Sequence, residues 1–216
     1  MRFNNPFDHI EPEVLVVLPP TVARVLQQEV FERLDLLTQA SSTPLGLVVI
    51  LRGVPGIGKS TLAKKIWLWC EQNNLSCCIC NADIWMVEAN GYNWDRYELT
   101  NADNHCKSRF MLAMAAKTNV IVIDNTNLDR TEYKWYEDHL DADNYEAQCI
   151  EIDCEDIRAA RLAIARSHVG AHYNITEALA RFHADREDRD PQHWIIVQPT
   201  SIGVQRFANN MIAQTR

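Results

Sequence analysis

Residues Gly53-Val-Pro-Gly-Ile-Gly-Lys-Ser-Thr61 place three glycines, one lysine and two adjacent hydroxyls within nine positions. Ahead of them runs Leu45-Gly-Leu-Val-Val-Ile-Leu51, a short continuous apolar stretch that reads as a buried parallel strand. Behind them comes Ser60-Thr-Leu-Ala-Lys-Lys-Ile-Trp67, rich in helix formers and without a breaker until Asn73. Strand, glycine-rich turn and helix in this order decide the fold.

The spacing is that of the Walker A loop, G-x-x-x-x-G-K-[ST]. Glycine at Gly53, Gly56 and Gly58 permits positive φ and close backbone approach, so successive N–H groups can converge on phosphate oxygens. The positive end of the following helix favours the same anion. Gly53, Pro55, Gly56, Ile57, Gly58, Lys59, Ser60 and Thr61 are therefore expected to hold a nucleoside triphosphate. Lys59 would reach the β- and γ-phosphates and serve catalysis, and Ser60 would ligate Mg²⁺.

A chain of 216 residues with 47% hydrophobic content can bury one substantial core. No apolar run approaches the ~18 residues of a membrane helix, and Met1-Arg-Phe-Asn-Asn-Pro6 is not a secretory signal. Seven cysteines, an odd count without an export signal, suggest reduced thiols and a cytoplasmic location. The net charge of −8 argues against broad adhesion to nucleic acid or anionic lipid, while leaving room for a local basic pocket. Between Ile157 and Ala184 stand Arg158, Arg161, Arg166 and Arg181 against Glu177 alone, with His168, His172 and His183 beside them.

Val22, Leu26, Val30, Leu34 and Leu37 recur at helical spacing, so residues 21–39 read as an amphipathic helix. Further strands are expected at 75–80, 120–123, 145–152 and 193–197, and helices at 95–117, 131–140, 155–166 and 201–214. Strand alternating with helix implies an α/β fold: a parallel five-stranded sheet with helices on both faces. The expected organisation is an N-terminal helical extension at 1–44, a P-loop NTPase domain at 45–199 with a helical lid, and a C-terminal helix at 200–216 packing on the core.

In such sheets ligands gather at the carboxyl ends of strands, where the glycine loop, Asp83 and Asp124-Asn-Thr-Asn127 all fall. Asp83 closes an apolar strand and can act as general base toward an attacking hydroxyl, or else cap the next helix. Asp124 follows four apolar residues, the Walker B arrangement for Mg²⁺ or its water shell. Thr126 and Asn127 can donate to the acceptor, with loop capping as the plainer alternative. Arg158, Arg161 and Arg166 belong to a segment expected to close over the phosphates, and Arg166 is the candidate catalytic lid arginine. Trp85, Tyr92, Trp94 and Tyr97 either stack a nucleobase or pack the core. Cys77, Cys78 and Cys80 read as buried strand residues rather than zinc ligands, because adjacent strand positions face opposite ways.

Gly53–Thr61, Asn81-Ala-Asp83, Ile123-Asp-Asn-Thr-Asn127, Arg166 with His168, and a helix from Ile175 together resemble the polynucleotide-kinase-like P-loop kinases over residues 45–198. The resemblance implies ATP- and Mg²⁺-dependent phosphoryl transfer to a hydroxyl, typically the 5′-OH of RNA or DNA. It implies Lys59 and Ser60 at phosphate and metal, Asp83 as base, Arg166 in the lid, and Asp124 and Asn127 on the substrate side. Ile84 stands where many relatives have a second acid, and Trp85 and Met86 where an arginine would meet the substrate phosphate. A small metabolite or a protein side chain as acceptor, and a non-catalytic ATP-binding switch, are the alternatives. Oligomeric state is left open.

Overall fold

The computed structural model describes residues 31–32, 46–90, 95–154, 158, 160–161, 174–188 and 194–197, without the side chains of 87–90 and 187–188. Five parallel strands, β1 (Gly46–Arg52), β2 (Cys77–Cys80), β3 (Val120–Ile123), β4 (Tyr145–Ile152) and β5 (Trp194–Val197), form one sheet in the order β2-β3-β1-β4-β5. Between them run α1 (Lys59–Gln72), α2 (Asp83–Asn90), α3 (Leu99–Ala115), α4 (Arg130–Asp138) and α5 (Ile175–Asp188).

β1 is buried along its whole length, as a central strand covered on both faces must be. Its residues alternate between two cores. Leu47, Val49 and Leu51 meet Leu62, Ala63 and Ile66 of α1 and Phe182 of α5. Val48 and Ile50 face the other way, toward Cys106 and Phe110 of α3 and Tyr133 and Tyr136 of α4. Phe110 is fully buried and meets Tyr136 edge-on at 5.3 Å, so Phe110→Ala would cost about 3–5 kcal/mol.

The expected five-stranded parallel α/β sheet is present. Its second strand is two residues shorter than expected, and the expected helix at 95–117 spans 99–115. Helix α2 has no counterpart in the sequence reading. It begins at Asp83, and the Asn81 side chain accepts the backbone N–H of Asp83 at 2.6 Å. The capping alternative for Asp83 is thereby corrected, since the cap comes from two residues earlier. Most of the expected helix at 21–39 and all of that at 201–214 lie outside the described residues. Phe31, from the first of these, stacks on Trp69 of α1 with centroids 5.4 Å apart. No described helix is long and apolar enough to cross a membrane.

All seven cysteines are free, and every one except half-buried Cys77 is buried, as their strand and helix positions require. Among the described residues no group of three or more His, Cys, Asp or Glu could hold a metal ion by itself.

One buried network was not legible beforehand. Arg52, the last residue of β1, is fully buried and ion-pairs with Glu151 of β4. Its Nη2 donates to the carbonyls of Leu128 at 2.7 Å and Phe182 at 2.6 Å, and lies 3.2 Å from Asp185. Arg186 of α5 pairs with Glu151 and Asp153. Arg52 thus ties the root of the glycine loop to β4, to the loop after β3 and to α5. A planar guanidinium suits this role because it presents several donors in fixed directions.

Candidate active site

Local sequence makes the glycine loop a cradle. Gly56 and Gly58 adopt φ of 74° and 116°, a region that L side chains rarely enter. A Cβ on Gly53 would fall 2.8 Å from Ile57 Cγ2 and 3.2 Å from the Ile152 carbonyl oxygen, so the chain there has no room for one. Ile57 is buried and anchors the loop to the core. Gly58 precedes α1, whose first turn carries Lys59, Ser60 and Thr61. Pro55, Gly56, Lys59 and Ser60 line a cavity of about 440 Å³ above the sheet.

Lys59 Nζ donates to the carbonyls of Gly53 at 2.9 Å and Val54 at 3.0 Å, closing the loop on itself. Burial pulls its pKa down to about 8, against the upward pull of Asp124, Asp83 and Glu132.

β3 pairs directly with β1, which brings Asp124 beside the glycine loop. Asp124 is 3% exposed, and burial pushes its carboxyl up to about 6, while Lys59, Ser60 and Asn81 hold it down. Its Oδ2 accepts Asn81 Nδ2 at 2.9 Å, whereas buried Oδ1 has no hydrogen-bond partner. A buried, unsatisfied carboxylate oxygen next to a Walker A serine fits a metal ion or its water shell. The residues present therefore fit Mg²⁺.

Asp83 heads α2 on the cavity wall, with its carboxyl pushed above its ordinary value by desolvation and drawn back by Lys59. Asn125 accepts the Ala82 N–H at 3.0 Å and donates toward Cys106 Sγ and Tyr136 Oη. The loops after β2 and β3 are thereby stitched together. Thr126 donates to Glu132 at 3.2 Å, and its carbonyl accepts the Gly53 N–H at 3.0 Å. Asn127 borders the cavity but is 1% exposed, and its amide donates to the Leu51 carbonyl at 2.6 Å. With φ of 47°, it braces β1 from a left-handed turn.

The fold thus brings together Lys59, Ser60, Asp83, Asp124, Thr126 and Asn127. Arg158 and Arg161 are helical and exposed and do not line the cavity. Arg166, His168, His172, Tyr92 and Trp94 lie outside the described residues. Trp85 is half-buried, donates to Glu98 at 3.1 Å, lies 5.3 Å from the His105 ring and does not line the cavity. Tyr97 is 80% exposed and does not line the cavity.

The sequence reading missed Asp103, Lys107 and Glu132, which also line the cavity. It missed the positioning contacts of Asn81 and Asn125 as well. Arg181 stands behind the cavity, donating to Asp129 at 2.6 Å and to Glu132 at 2.5 Å. The position of Glu132 three residues after Asp129, at the start of a helix, was the available signal. Asp103 and Lys107 gave only an ordinary surface i,i+4 pair.

Residues 48–188 match a family model described as an AAA domain, with the glycine loop, Asp83 and Asp124 inside the matched range. The chain belongs to that family. Its strand-loop-helix core and parallel sheet are a P-loop NTPase-like fold. Over 93 residues, 43% of this chain, it is 38% identical to NEDD4-binding protein 2 of Homo sapiens, and the matched stretch spans 5% of that protein. A chain in the structure of the Pnkp1/Rnl/Hen1 RNA repair complex superposes with a TM-score of 0.53 at 14% identity, covering 70% of this chain and 49% of that one. At that identity the likeness concerns the fold alone. A gluconokinase from Sinorhizobium meliloti 1021 covers 80% of this chain and 99% of its own, but its TM-score of 0.40 carries no argument.

Proposed function

We propose that this protein is an ATP- and Mg²⁺-dependent kinase that transfers the γ-phosphoryl group to a hydroxyl. The carrying observation is that Asp83 opens onto the same cavity as Lys59, Ser60 and Asp124. A nucleotide-binding site alone needs no second carboxylate facing the phosphates; phosphoryl transfer to a hydroxyl does, as a base. In this reading the glycine-loop N–H groups and Lys59 bind the β- and γ-phosphates, and phosphate oxygens replace the Gly53 and Val54 carbonyls as partners of Lys59. Ser60 and Asp124 would hold Mg²⁺, which would supply charge neutralisation at the phosphates. Asp83 takes the proton of the acceptor hydroxyl. Arg166 is the candidate lid arginine on the sequence resemblance alone.

The acceptor we propose is the 5′-OH of a nucleic acid. It is supported by the Asn81-Ala-Asp83 and Asp124–Asn127 motifs and by a fold shared with a chain of an RNA repair complex. A small metabolite acceptor is favoured by one observation: the described cavity lining holds four acids, Asp83, Asp103, Asp124 and Glu132, against Lys59 and Lys107.

Transfer of labelled γ-phosphate from ATP to a 5′-OH oligoribonucleotide, beside Lys59→Ala and Asp83→Asn, tests the proposal. Wild-type transfer that both variants lose supports it. Full transfer by Asp83→Asn removes the base assignment, and ATP binding without transfer removes the nucleic-acid acceptor.

A further inference from the structure

The cavity extends from the glycine loop toward the β2 edge of the sheet, and its far wall is α3. Leu99, Ala102, Asp103 and Lys107 line that wall, next to Asp83 and Met86 of α2. Lys107 Nζ donates to Asp103 Oδ2 at 2.6 Å and stands 5.2 Å from the centroid of the Trp135 ring. The two side chains are 26% and 50% exposed, so each keeps an open side.

Lys107 is neutralised by Asp103. Arg181 is engaged by Asp129 and Glu132, and Lys59, at the other end of the cavity, by the Gly53 and Val54 carbonyls. A phosphate brought to this wall would meet Asp83 and Asp103 while gaining only a lysine that is already paired. A hydroxylated ring meets the opposite situation. Lys107 offers donors, Asp103 offers lone pairs, and Leu99, Met86 and Ala102 offer an apolar surface for ring C–H groups.

We propose that the Asp103–Lys107 pair is the specificity element of the acceptor site, and that it reads an uncharged hydroxyl on the acceptor sugar rather than an acceptor phosphate. The inference rests on the hydroxyl-kinase reading above and narrows it. In the 5′-terminal residue of an RNA the 3′-oxygen is held in the phosphodiester, so the hydroxyl concerned is the 2′-OH. The same chemistry comes from a free ribonucleoside or from the terminal residue of an RNA, and selection against 2′-deoxy acceptors follows in both cases. A site built to hydrogen-bond a hydroxyl discriminates strongly against the analogue that lacks it, because its own polar groups are then left unpaired.

The test measures kcat/KM for adenosine, 2′-deoxyadenosine and a matched pair of 5′-OH oligoribo- and oligodeoxyribonucleotides, in wild type, Asp103→Asn, Lys107→Gln and Lys107→Met. The expected result is a ribo-over-deoxy preference of about tenfold or more in wild type that falls to within about twofold in the variants. The KM for ATP should stay near wild type, which separates a specificity role from general damage to the fold. Preference within the adenosine pair identifies a free acceptor, and within the oligonucleotide pair a terminal residue; either supports the proposal. A wild-type ratio near one, or a ratio unchanged in all three variants, overturns it while leaving the kinase reading in place. No transfer to any of the four acceptors overturns the proposal together with the nucleic-acid acceptor.

Discussion

Asn81 Nδ2 donates to Asp124 Oδ2 at 2.9 Å, while the Asn81 carbonyl oxygen accepts the backbone N–H of Asp83 at 2.6 Å. One amide side chain therefore sets the spacing between the proposed base and the proposed metal carboxylate. It leaves Asp124 Oδ1 without a hydrogen-bond partner. Second groups of this kind orient the first and tune its basicity.

Replacing Asn81 with Ala should therefore lower kcat by about 10- to 100-fold, with the KM for ATP within a few-fold of wild type. The loss arises from misplacement rather than from missing charge. Steady-state kinetics over ATP and acceptor concentrations check it; a change confined to the KM for ATP would contradict it.

Phosphoryl transfer should depend on pH with two limbs. Below about 6, Asp124 is protonated in the free protein and cannot hold Mg²⁺; above about 8, Lys59 loses its charge. The kcat/KM for ATP should rise through about 6 and fall through about 8. Bound metal stabilises the carboxylate and bound phosphate stabilises the ammonium, so the kcat profile should be broader on both sides. Flat profiles across this range would refute the assignment.

Asp124 should also cost stability. Its folded pKa of about 6 lies above the ordinary aspartate value, so between those values the folded state binds more protons than the unfolded one. Stability contributed at this site is greatest at low pH and declines as pH rises to about 6. Asp124→Asn removes the decline, and at pH 7 it should stabilise the protein by on the order of 2 kcal/mol while abolishing transfer. Urea titrations at pH 4 and pH 7 check it: the gain should be present at pH 7 and largely absent at pH 4.

Arg52→Ala should destabilise the fold by about 3–5 kcal/mol, because it leaves Glu151 and Asp185 buried beside fewer cations. Arg52→Lys should recover only part, since an ammonium cannot reproduce the fork that reaches Glu151, Leu128 and Phe182 together. Chemical denaturation reads both variants.

What was legible in the sequence was local or periodic. A continuous apolar stretch, three glycines and a run of helix formers suffice to specify strand, phosphate loop and helix. Asp83 and Asp124 stand out because a carboxylate at the end of an apolar strand needs a reason. Helix α2 escaped because Asp83–Asn90 is short and its apolar residues, Ile84, Trp85, Met86 and Val87, run consecutively rather than at helical spacing. Arg52 escaped because a charge at the end of an apolar run reads as a strand terminus reaching solvent, and only burial against β4, the loop after β3 and α5 shows otherwise.

By itself the sequence determined the fold class and the nucleotide loop, because those follow from short-range patterns: residue type, glycine conformation and strand or helix period. Tertiary structure decided which groups share the cavity. Asn81 and Asp124 are 43 positions apart, and Arg52 and Phe182 are 130 apart. The Asp103–Lys107 pair looks like any exposed helical couple until β2 takes the sheet edge and turns α3 toward the glycine loop. Contacts at such separations arise from sheet order and packing, and no local period encodes them.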